Sequence, residues 1–301
     1  MNRVAHIINP VKVNEKSDLF VAQPITFESI LIAKNYSKHS DCIGLYTTQF
    51  EEDREIIPSG FIQLSNLERS VLDVSPRLKG RKLPLIGDIL SKATQIEDAD
   101  YVIFTNMDIA LMPYFYDTVF QLLEKGHDAL VINRRRLQSI YTKVEELPQM
   151  YADLGLSHPG FDCFVIKKEL ISQFVLDEIC VGISFLEAAL VHNIFSFAEN
   201  PLYIPDAHLT FHIGMDVLVP RSNDFYYHNR NAFFKKIQPK IKHLYKLEKF
   251  PYASLPLPKR VLKWMLNPSI FTRNYLQLQG KSWSYRIKTR LDEIRWRILQ
   301  K

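Results

Sequence analysis

Short apolar runs separated by segments of mixed polarity dominate the first two thirds of the chain. These runs are four or five residues long and rich in β-branched and aromatic side chains, which is typical of strands buried inside a parallel sheet. Between the first two runs, apolar residues recur at helical spacing from Phe27, and Thr26 is a suitable N-cap for a helix that ends near Lys38. This order predicts a β-α-β unit with a right-handed crossover. The predicted strands cover residues 4–8, 42–46, 101–104 and 129–133.

Polar, irregular sequence occupies residues 49–82, where we expect a loop, a short strand and a variable insertion. Pro84 then begins a predicted helix that has Asp88 in its first turn. Further along, Asp117 is a predicted N-cap, and a largely apolar helix is predicted over residues 181–193. The alternation of strands and helices predicts an α/β fold with a Rossmann-like, mixed but mostly parallel sheet flanked by helices.

Composition indicates a packed protein. The 301 residues are 47% hydrophobic and 12% aromatic, which is enough to bury a sizeable core. The three cysteines, Cys42, Cys163 and Cys180, lack metal-site spacing and are odd in number, so we expect neither a zinc site nor a disulfide framework, and a reducing, cytoplasmic compartment fits best. No apolar run approaches the roughly 18 residues of a membrane span, and the N-terminus lacks a signal-like apolar segment. We therefore expect neither secretion nor membrane insertion.

Charge divides the chain into two predicted domains. Residues 231–301 contain 17 Lys and Arg against 3 Asp and Glu, a net charge of +14, whereas the whole chain carries +5 and residues 1–230 therefore carry −9. Such asymmetry predicts a globular domain over residues 1–230 and a basic, mainly helical C-terminal extension with its own partner. An amphipathic basic helix is predicted over residues 286–299. It can lie peripherally on the inner face of an anionic membrane, or pack on the globular domain with its charges in solvent.

Candidate chemistry lies at the end of the predicted strand 101–104. The strand delivers Asn106 and Asp108 to its carboxyl end, where ligands bind in open α/β sheets, and the two side chains share one side of an extended chain. Oxygen ligands at this spacing suit a hard divalent cation that carries phosphates, although the same residues can instead form a turn that caps the strand. Three arginines, Arg134–Arg136, follow the next predicted strand and either clamp an anion or lie in solvent.

The segment Asn106-Met107-Asp108 resembles the Asp-x-Asp motif of GT-A-type glycosyltransferases, with Asn in place of the first Asp. The resemblance implies a nucleotide-diphosphate-sugar donor, Mn²⁺ or Mg²⁺ as cofactor, and Asp108 as a direct metal ligand. It also implies that Asn106 contacts the ribose or a metal-bound water. Because Asn106 replaces a carboxylate of the motif, the strength of metal binding stays an open question. In this family the first strand ends beside the nucleotide base, so the resemblance implies that Asn9 lies at the donor-binding site. We also expect Asp88 among the donor-binding residues.

Gly160-Phe161-Asp162, which leads into an apolar run, resembles the acceptor-side segment of GT-A enzymes. The resemblance implies that Gly160 allows close backbone approach and that Asp162 binds a sugar hydroxyl. Glu187 is a lone carboxylate on an apolar helix, which must be paired or shifted in pKa. Inverting members of the family often carry the catalytic base at this point, so Glu187 is our first candidate for that base and Asp162 the second.

Two late histidines resemble the additional metal ligand of many GT-A enzymes. His208 and His212 are four residues apart and share a face if the segment is a strand. Either histidine can join Asp108 as a ligand, and imidazole ligands favour Mn²⁺ over Mg²⁺.

The order of these segments over about residues 3–216 predicts a glycosyltransferase acting on a glycan or lipid-linked acceptor, as in polysaccharide biosynthesis. The enzyme alternative is a nucleotidyltransferase, which a Gly-rich basic signature near the first strand would favour, and residues 6–16 lack one. The other alternative is a non-catalytic binding or scaffold protein of the same fold, which Asn106 favours and Asp108 opposes. Nucleic-acid binding through the basic tail belongs to that alternative and is not expected.

Overall fold

The structure, a computed structural model, describes residues 2–137, 140–158, 160–213, 223–267 and 270. Within this part of the chain the strands form two sheets, and helices separate most of the strands of the larger one. The strands are β1 Val4–Ile8, β2 Ile43–Thr47, β3 Ile62–Gln63, β4 Tyr101–Thr105, β5 Ile109–Leu111, β6 Ala129–Ile132, β7 Arg134–Arg136, β8 Leu156–Ser157, β9 Cys163–Lys167, β10 Pro201–Ile204 and β11 Thr210–His212. The helices are α1 Asp18–Tyr36, α2 Val71–Val74, α3 Ile86–Thr94, α4 Phe115–Glu124, α5 Leu147–Ala152, α6 Lys168–Ile171, α7 Leu186–Phe197, α8 Asn223–Asn231, α9 Gln238–Ile241 and α10 Leu257–Leu266.

The larger sheet has the strand order β10-β6-β9-β4-β1-β2-β3 in the described residues. β9 runs antiparallel to its neighbours β4 and β6, and the other neighbours in this order pair in parallel. Every residue of β1, β4 and β6 is buried, as expected for strands covered on both faces. The predicted α/β fold with a mixed, mostly parallel sheet is therefore confirmed.

Helices α1 and α4 pack together on one face of this sheet. Phe27 and Ile30 of α1 and Phe115 and Val119 of α4 belong to one hydrophobic cluster with alternate residues of the strands, such as Ile103. Each of these five side chains is at least 95% buried, and burying a side chain of this size stabilises the fold by about 1.5–3 kcal/mol. The cluster therefore holds β4, and the turn that follows it, in a fixed position.

A smaller sheet with the order β5-β11-β7-β8 extends from the edge of the larger one. β5 begins directly after the Asn106–Asp108 turn and pairs antiparallel with β11, which in turn pairs in parallel with β7. The sequence did not predict β5, because three residues are too few to show an alternating pattern. The long-range pairing with β11 is what makes this segment a strand.

Several helices begin at residues other than those predicted; α3, for example, begins at Ile86 rather than at Pro84. α1 begins at Asp18, where the Ser17 hydroxyl accepts a hydrogen bond from Leu19 N at 3.3 Å, and Pro24 lies inside it. The prediction began the helix after that proline, at Thr26 as N-cap. Since an internal proline usually interrupts a helix, the start at Asp18 could not be read from local pattern. α7 begins at Leu186 rather than at residue 181, because Phe185 adopts a φ of 80° that cannot continue a helix.

Asp117 is not the N-cap that the sequence predicted. It lies in the first turn of α4, and its Oδ1 accepts hydrogen bonds from Ser37 Oγ at 2.6 Å and Lys38 N at 3.1 Å. The side chain therefore fastens the end of α1 to α4, an arrangement that local sequence cannot reveal because the partners are about 80 residues away.

One compact unit reaches from the N-terminus to Phe250, and a second begins at Pro251. In the first unit, His192 Nδ1 of α7 hydrogen-bonds Tyr245 Oη at 2.7 Å, so residues beyond 230 belong to it structurally. The functional division after residue 230 stays a prediction, and the predicted helix over residues 286–299 lies outside the described residues. No helix of the described residues is both long and apolar enough to span a membrane.

Candidate functional site

Strand register gathers polar residues at one edge of the larger sheet. Thr105 at the end of β4 pairs with Cys163 at the start of the antiparallel β9, and Ile132 at the end of β6 pairs with the same cysteine. The residues just after β4 and β6 therefore lie beside Asp162, which immediately precedes β9. This edge is where the carboxyl ends of the parallel strands meet, the usual ligand-binding edge of such sheets.

Asp108 lies in the turn between β4 and β5 and is held by its neighbours on β11. Its carbonyl oxygen accepts Ile213 N at 3.1 Å, and His212 Nε2 lies 3.1 Å from its carboxylate Oδ2. Burial alone raises the pKa of Asp108, but the hydrogen bond and charge of His212, with the charge of Arg134, outweigh it and lower that pKa below its ordinary value. The side chain as a whole is 31% exposed although its Oδ1 is buried, so this ionised carboxylate lies at the boundary between the protein and solvent.

Asp162 is the second carboxylate of the cluster and is only 4% exposed. Arg134 Nη1 donates a hydrogen bond to Asp162 Oδ1, forming a buried ion pair. Burial raises the pKa of Asp162; the charge of Arg134 opposes that shift and the charge of Asp108 adds to it. The two carboxylates are therefore close enough to influence each other and differ in environment: one is kept ionised, and the other binds protons more readily.

Three buried oxygen atoms of the cluster have no hydrogen-bond partner among the described residues: Asn106 Oδ1, Asp108 Oδ1 and Asp162 Oδ2. Buried polar atoms in folded proteins are nearly always paired, because an unpaired one costs about 1–3 kcal/mol. Gly160 keeps space open beside one of them, since a Cβ there would lie 3.4 Å from Asp162 Oδ2. Three such oxygens along one short edge indicate a place where a ligand completes the hydrogen bonding or coordination.

These donors fit a cation that is held jointly with a substrate. No group of three or more His, Cys, Asp or Glu side chains that could hold a metal ion by itself is present in the described residues. The unpaired oxygens of Asp108 and Asn106, with His212 alongside, are nevertheless suitable ligands, because Mg²⁺ and Mn²⁺ commonly take one or two protein groups and complete their shell with phosphate oxygens and water. The residues present therefore fit a metal bound together with a diphosphate.

His208 does not share the surroundings of His212. β11 begins at Thr210, and His208 precedes it with a φ of 50°, so the predicted alternation does not place the two histidines on one face. The His208 carbonyl accepts the Tyr114 hydroxyl at 2.7 Å. Burial lowers the pKa of His208, and the charge of Arg135 lowers it further. His208 therefore lies near Arg135. Arg135 follows Arg134 on β7, so the two arginine side chains point to opposite faces of that strand.

The two remaining predicted donor residues have partners within the protein. Asn9 follows β1, and its Nδ2 donates to Thr48 O at 2.5 Å. Asp88 lies in the first turn of α3, where Arg69 Nε and Nη2 donate to its two carboxylate oxygens, each at 2.8 Å. Asn9 thus joins the loops after β1 and β2, and Asp88 forms a bidentate ion pair. Their predicted roles at the donor stay predictions.

Glu187 lies in the first turn of α7, and its side chain is half-buried. The positive helix N-terminus favours an ionised carboxylate at this position. The role of catalytic base that the sequence suggested for Glu187 stays a prediction.

Sequence reasoning missed two charged residues that the fold pairs or buries, one in this cluster and one elsewhere. Arg134 was one of three equivalent arginines in the sequence, and the register of β6 and β9 singles it out by pairing it with Asp162. Asp53 was hidden in an acidic run, yet it is 4% exposed and its Oδ1 accepts Lys12 N at 2.7 Å. A weak signal existed for Arg134, because it follows a predicted buried strand. None existed for Asp53.

No family model and no curated protein matches the chain. Among solved structures, residues 1–349 of TarS from S. aureus in complex with UDP-GlcNAc are similar at 10% identity, covering 90% of this chain and 82% of that one, with a TM-score of 0.47. Glucosyl-3-phosphoglycerate synthase from Mycobacterium tuberculosis, crystallised with Mn²⁺, UDP-glucose and phosphoglyceric acid, is similar at 15% identity, covering 77% of each chain, with a TM-score of 0.40. With TM-scores below 0.5, these similarities assign neither a family nor an activity.

Proposed function

We propose that this protein is a GT-A-like glycosyltransferase that moves a sugar from a nucleotide-diphosphate sugar to a hydroxyl of a glycan or lipid-linked acceptor. The observation that carries the proposal is the pair of carboxylates at the edge of the sheet. Asp108 and Asp162 each have one oxygen without a partner among the described residues, and the pKa of one is lowered while that of the other is raised. Two carboxylates with opposite shifts suit a site in which one binds a cation and the other exchanges a proton.

Asp108 would hold the metal and diphosphate of the donor. Its Oδ1, unpaired in the described part of the chain, would be the metal ligand, and His212, 3.1 Å from Oδ2, would orient the carboxylate. Asn106, whose Oδ1 is also unpaired there, would contact the ribose or a metal-bound water. When bound, Mn²⁺ or Mg²⁺ supplies a Lewis acid that neutralises negative charge on the departing nucleoside diphosphate. The ionised state of Asp108 keeps this site ready for a cation near neutral pH.

Asp162 is the group that we place first as the catalytic base. Arg134 fixes its Oδ1, which leaves Oδ2 directed toward the space beside Gly160, where an acceptor hydroxyl would lie. A carboxylate with a raised pKa accepts a proton more readily, and general-base catalysis contributes roughly 10²- to 10⁴-fold in rate. Glu187 is the first candidate from the sequence and becomes the second here, because Asp162 lies in the carboxylate cluster with Asp108 whereas Glu187 lies in the first turn of α7.

The first experiment is a calorimetric titration of the purified chain with UDP and with GDP, each with and without Mn²⁺. We expect metal-dependent binding of one nucleotide, and we expect Asp108→Asn to weaken it by about 100-fold or more, since even indirect partners of a metal contribute roughly 10- to 100-fold. The nucleotide that binds more tightly, UDP or GDP, narrows the range of possible sugar donors.

Asp100→Asn is the matched control. Asp100 lies at the opposite end of the same strand, where its Oδ2 accepts Arg3 N at 2.7 Å, and the substitution removes the same charge. Nucleotide binding that survives in Asp100→Asn but not in Asp108→Asn supports the site. Equal loss in both variants, or no nucleotide binding in the unaltered protein with metal present, contradicts the proposal.

A further inference from the structure

Helix α10, in the second compact unit, buries one side of its surface and exposes an apolar one. Its Trp264 is 8% exposed, and the indole Nε1 donates to Pro251 O at 2.7 Å. Arg260 Nη2 donates to the carbonyl oxygens of Ala253 and Leu255, at 2.5 and 3.1 Å. The side of the helix that carries Trp264 and Arg260 is therefore the side fixed to the preceding turn.

Another side of α10, which begins next to Trp264 and continues around the helix away from Arg260, is apolar and exposed to solvent. Leu262, Met265 and Leu266 are each more than half exposed, as is Leu257 at the start of the helix. At 100° per residue these side chains, with Val261, cover about half of the helix circumference. We call this surface the apolar face of α10; it consists of Leu257, Val261, Leu262, Met265 and Leu266. A surface helix normally turns such a face inward, so this arrangement indicates that something covers it.

The charge around the apolar face favours a negatively charged surface as its binding partner. Lys259 and Lys263 border the face, and both are exposed. They belong to a region, residues 231–301, that has 17 basic and 3 acidic residues. A basic amphipathic helix of this kind is attracted to anionic lipid headgroups, while its apolar face enters the boundary of the acyl chains.

Two other occupants agree less well with the charges. A second copy of this chain would bring another strongly basic region against the first, and like charges repel. The segment after Ile270 would also bring positive charge, because residues 271–301 contain eight Lys and Arg against two Asp and Glu. An anionic bilayer supplies both the apolar phase and the negative charge that the helix lacks in water.

We propose that α10 is a membrane-docking helix that lies in the interface of an anionic bilayer through its apolar face. Ten residues give a helix about 15 Å long, which suits lying on a membrane and is too short to cross one. This docking does not depend on the proposed transferase activity.

The test is co-sedimentation of the full chain with lipid vesicles. One set contains phosphatidylcholine alone, and the other contains phosphatidylcholine with about one third phosphatidylglycerol. We expect binding to the anionic vesicles that weakens with added salt. Leu262→Asp and Met265→Asp should each lower the partition coefficient by about tenfold or more, because a buried apolar side chain is replaced by a charge. Lys259→Gln should lower it about fivefold on the anionic vesicles.

Ile62→Asp is the matched control, since Ile62 is also more than half exposed but lies on β3 in the first compact unit. Circular dichroism and thermal unfolding of each variant confirm that the substitutions leave the fold intact. The proposal is supported if the α10 variants lose binding and Ile62→Asp keeps it. It is overturned if the unaltered chain does not bind anionic vesicles, if the α10 variants bind as well as the unaltered chain, or if these variants only convert a dimer to a monomer.

Discussion

His6 makes the stability of the fold dependent on pH, and this dependence can be worked out from its surroundings. The side chain lies on β1, an inner strand of the larger sheet, and is 1% exposed. Its Nδ1 is 2.7 Å from Tyr116 Oη and its Nε2 is 2.9 Å from Thr105 Oγ1. Burial lowers the pKa of His6 from 6.5 to about 3, because the charged imidazolium would lose its hydration there.

The direction of the effect follows from proton binding. Between about pH 6.5 and pH 3 the unfolded chain protonates this histidine and the folded protein does not, so acid favours unfolding. With these two pKa values, lowering the pH from 7 to 5 costs about 2 kcal/mol of stability through His6 alone. That amount is a substantial part of the 5–15 kcal/mol typical of folded proteins.

Urea unfolding of the unaltered protein and of His6→Gln, each at pH 7 and pH 5, measures this contribution. A glutamine can still hydrogen-bond both hydroxyls but cannot titrate. We expect His6→Gln to be less stable at pH 7 because it fills the site less well. The difference in stability between the two proteins should shrink by about 2 kcal/mol at pH 5, since the contributions of all other titrating groups cancel in the comparison.

A stability difference between the two proteins that stays constant from pH 7 to pH 5 would refute this reasoning. Such a result would mean that His6 takes up a proton equally in the folded and unfolded states. The ring-proton NMR resonances of His6 provide an independent check. They should not shift between pH 7 and pH 5 if the folded protein keeps this histidine neutral.

Four further substitutions test the site and its supports. Asp162→Asn should lower kcat by about 10²- to 10⁴-fold with unchanged nucleotide affinity, measured by initial rates and calorimetry; an equal loss of affinity would contradict a role as base. Arg134→Met should lower the free energy of unfolding, measured in urea, by about 3–5 kcal/mol because it leaves the buried carboxylate of Asp162 unpaired. Adding Asp162→Asn should restore part of the lost stability. Gly160→Ala should reduce acceptor binding while changing stability little, as its Cβ would lie 3.2 Å from the His158 ring and beside Asp162 Oδ2. Asn229→Ala should destabilise the fold by about 3 kcal/mol, because the Asn229 side chain bonds the backbone of Cys180 at both N and O.

The sequence by itself determined most strands of the larger sheet, although it did not predict β10. β1 was predicted with its observed bounds, and β4 and β6 to within one residue, because buried strands of a parallel sheet are continuous apolar runs whose meaning does not depend on distant residues. The sequence also determined that Asn106 and Asp108 follow a strand at its carboxyl end. Chain direction alone then assigns them to the ligand-binding edge.

Local pattern failed where distant parts of the chain decide the outcome. β5 is a strand only because β11 pairs with it from 100 residues away. The start of α1 depends on the Ser17 cap, which the sequence prediction did not use. In each case a tertiary contact or a capping hydrogen bond outweighs a weak local preference.

The arrangement of the candidate site was decided by tertiary structure. No spacing in the sequence relates Asp162 to Arg134 or His212 to Asp108, and these pairs form because β9 is antiparallel to β6 and because β11 joins β5. The sequence supplied the residue types, and the register of the strands selected which of them meet. The physical reason is that electrostatic and hydrogen-bonding interactions act over a few ångströms, a distance that sequence separation does not measure.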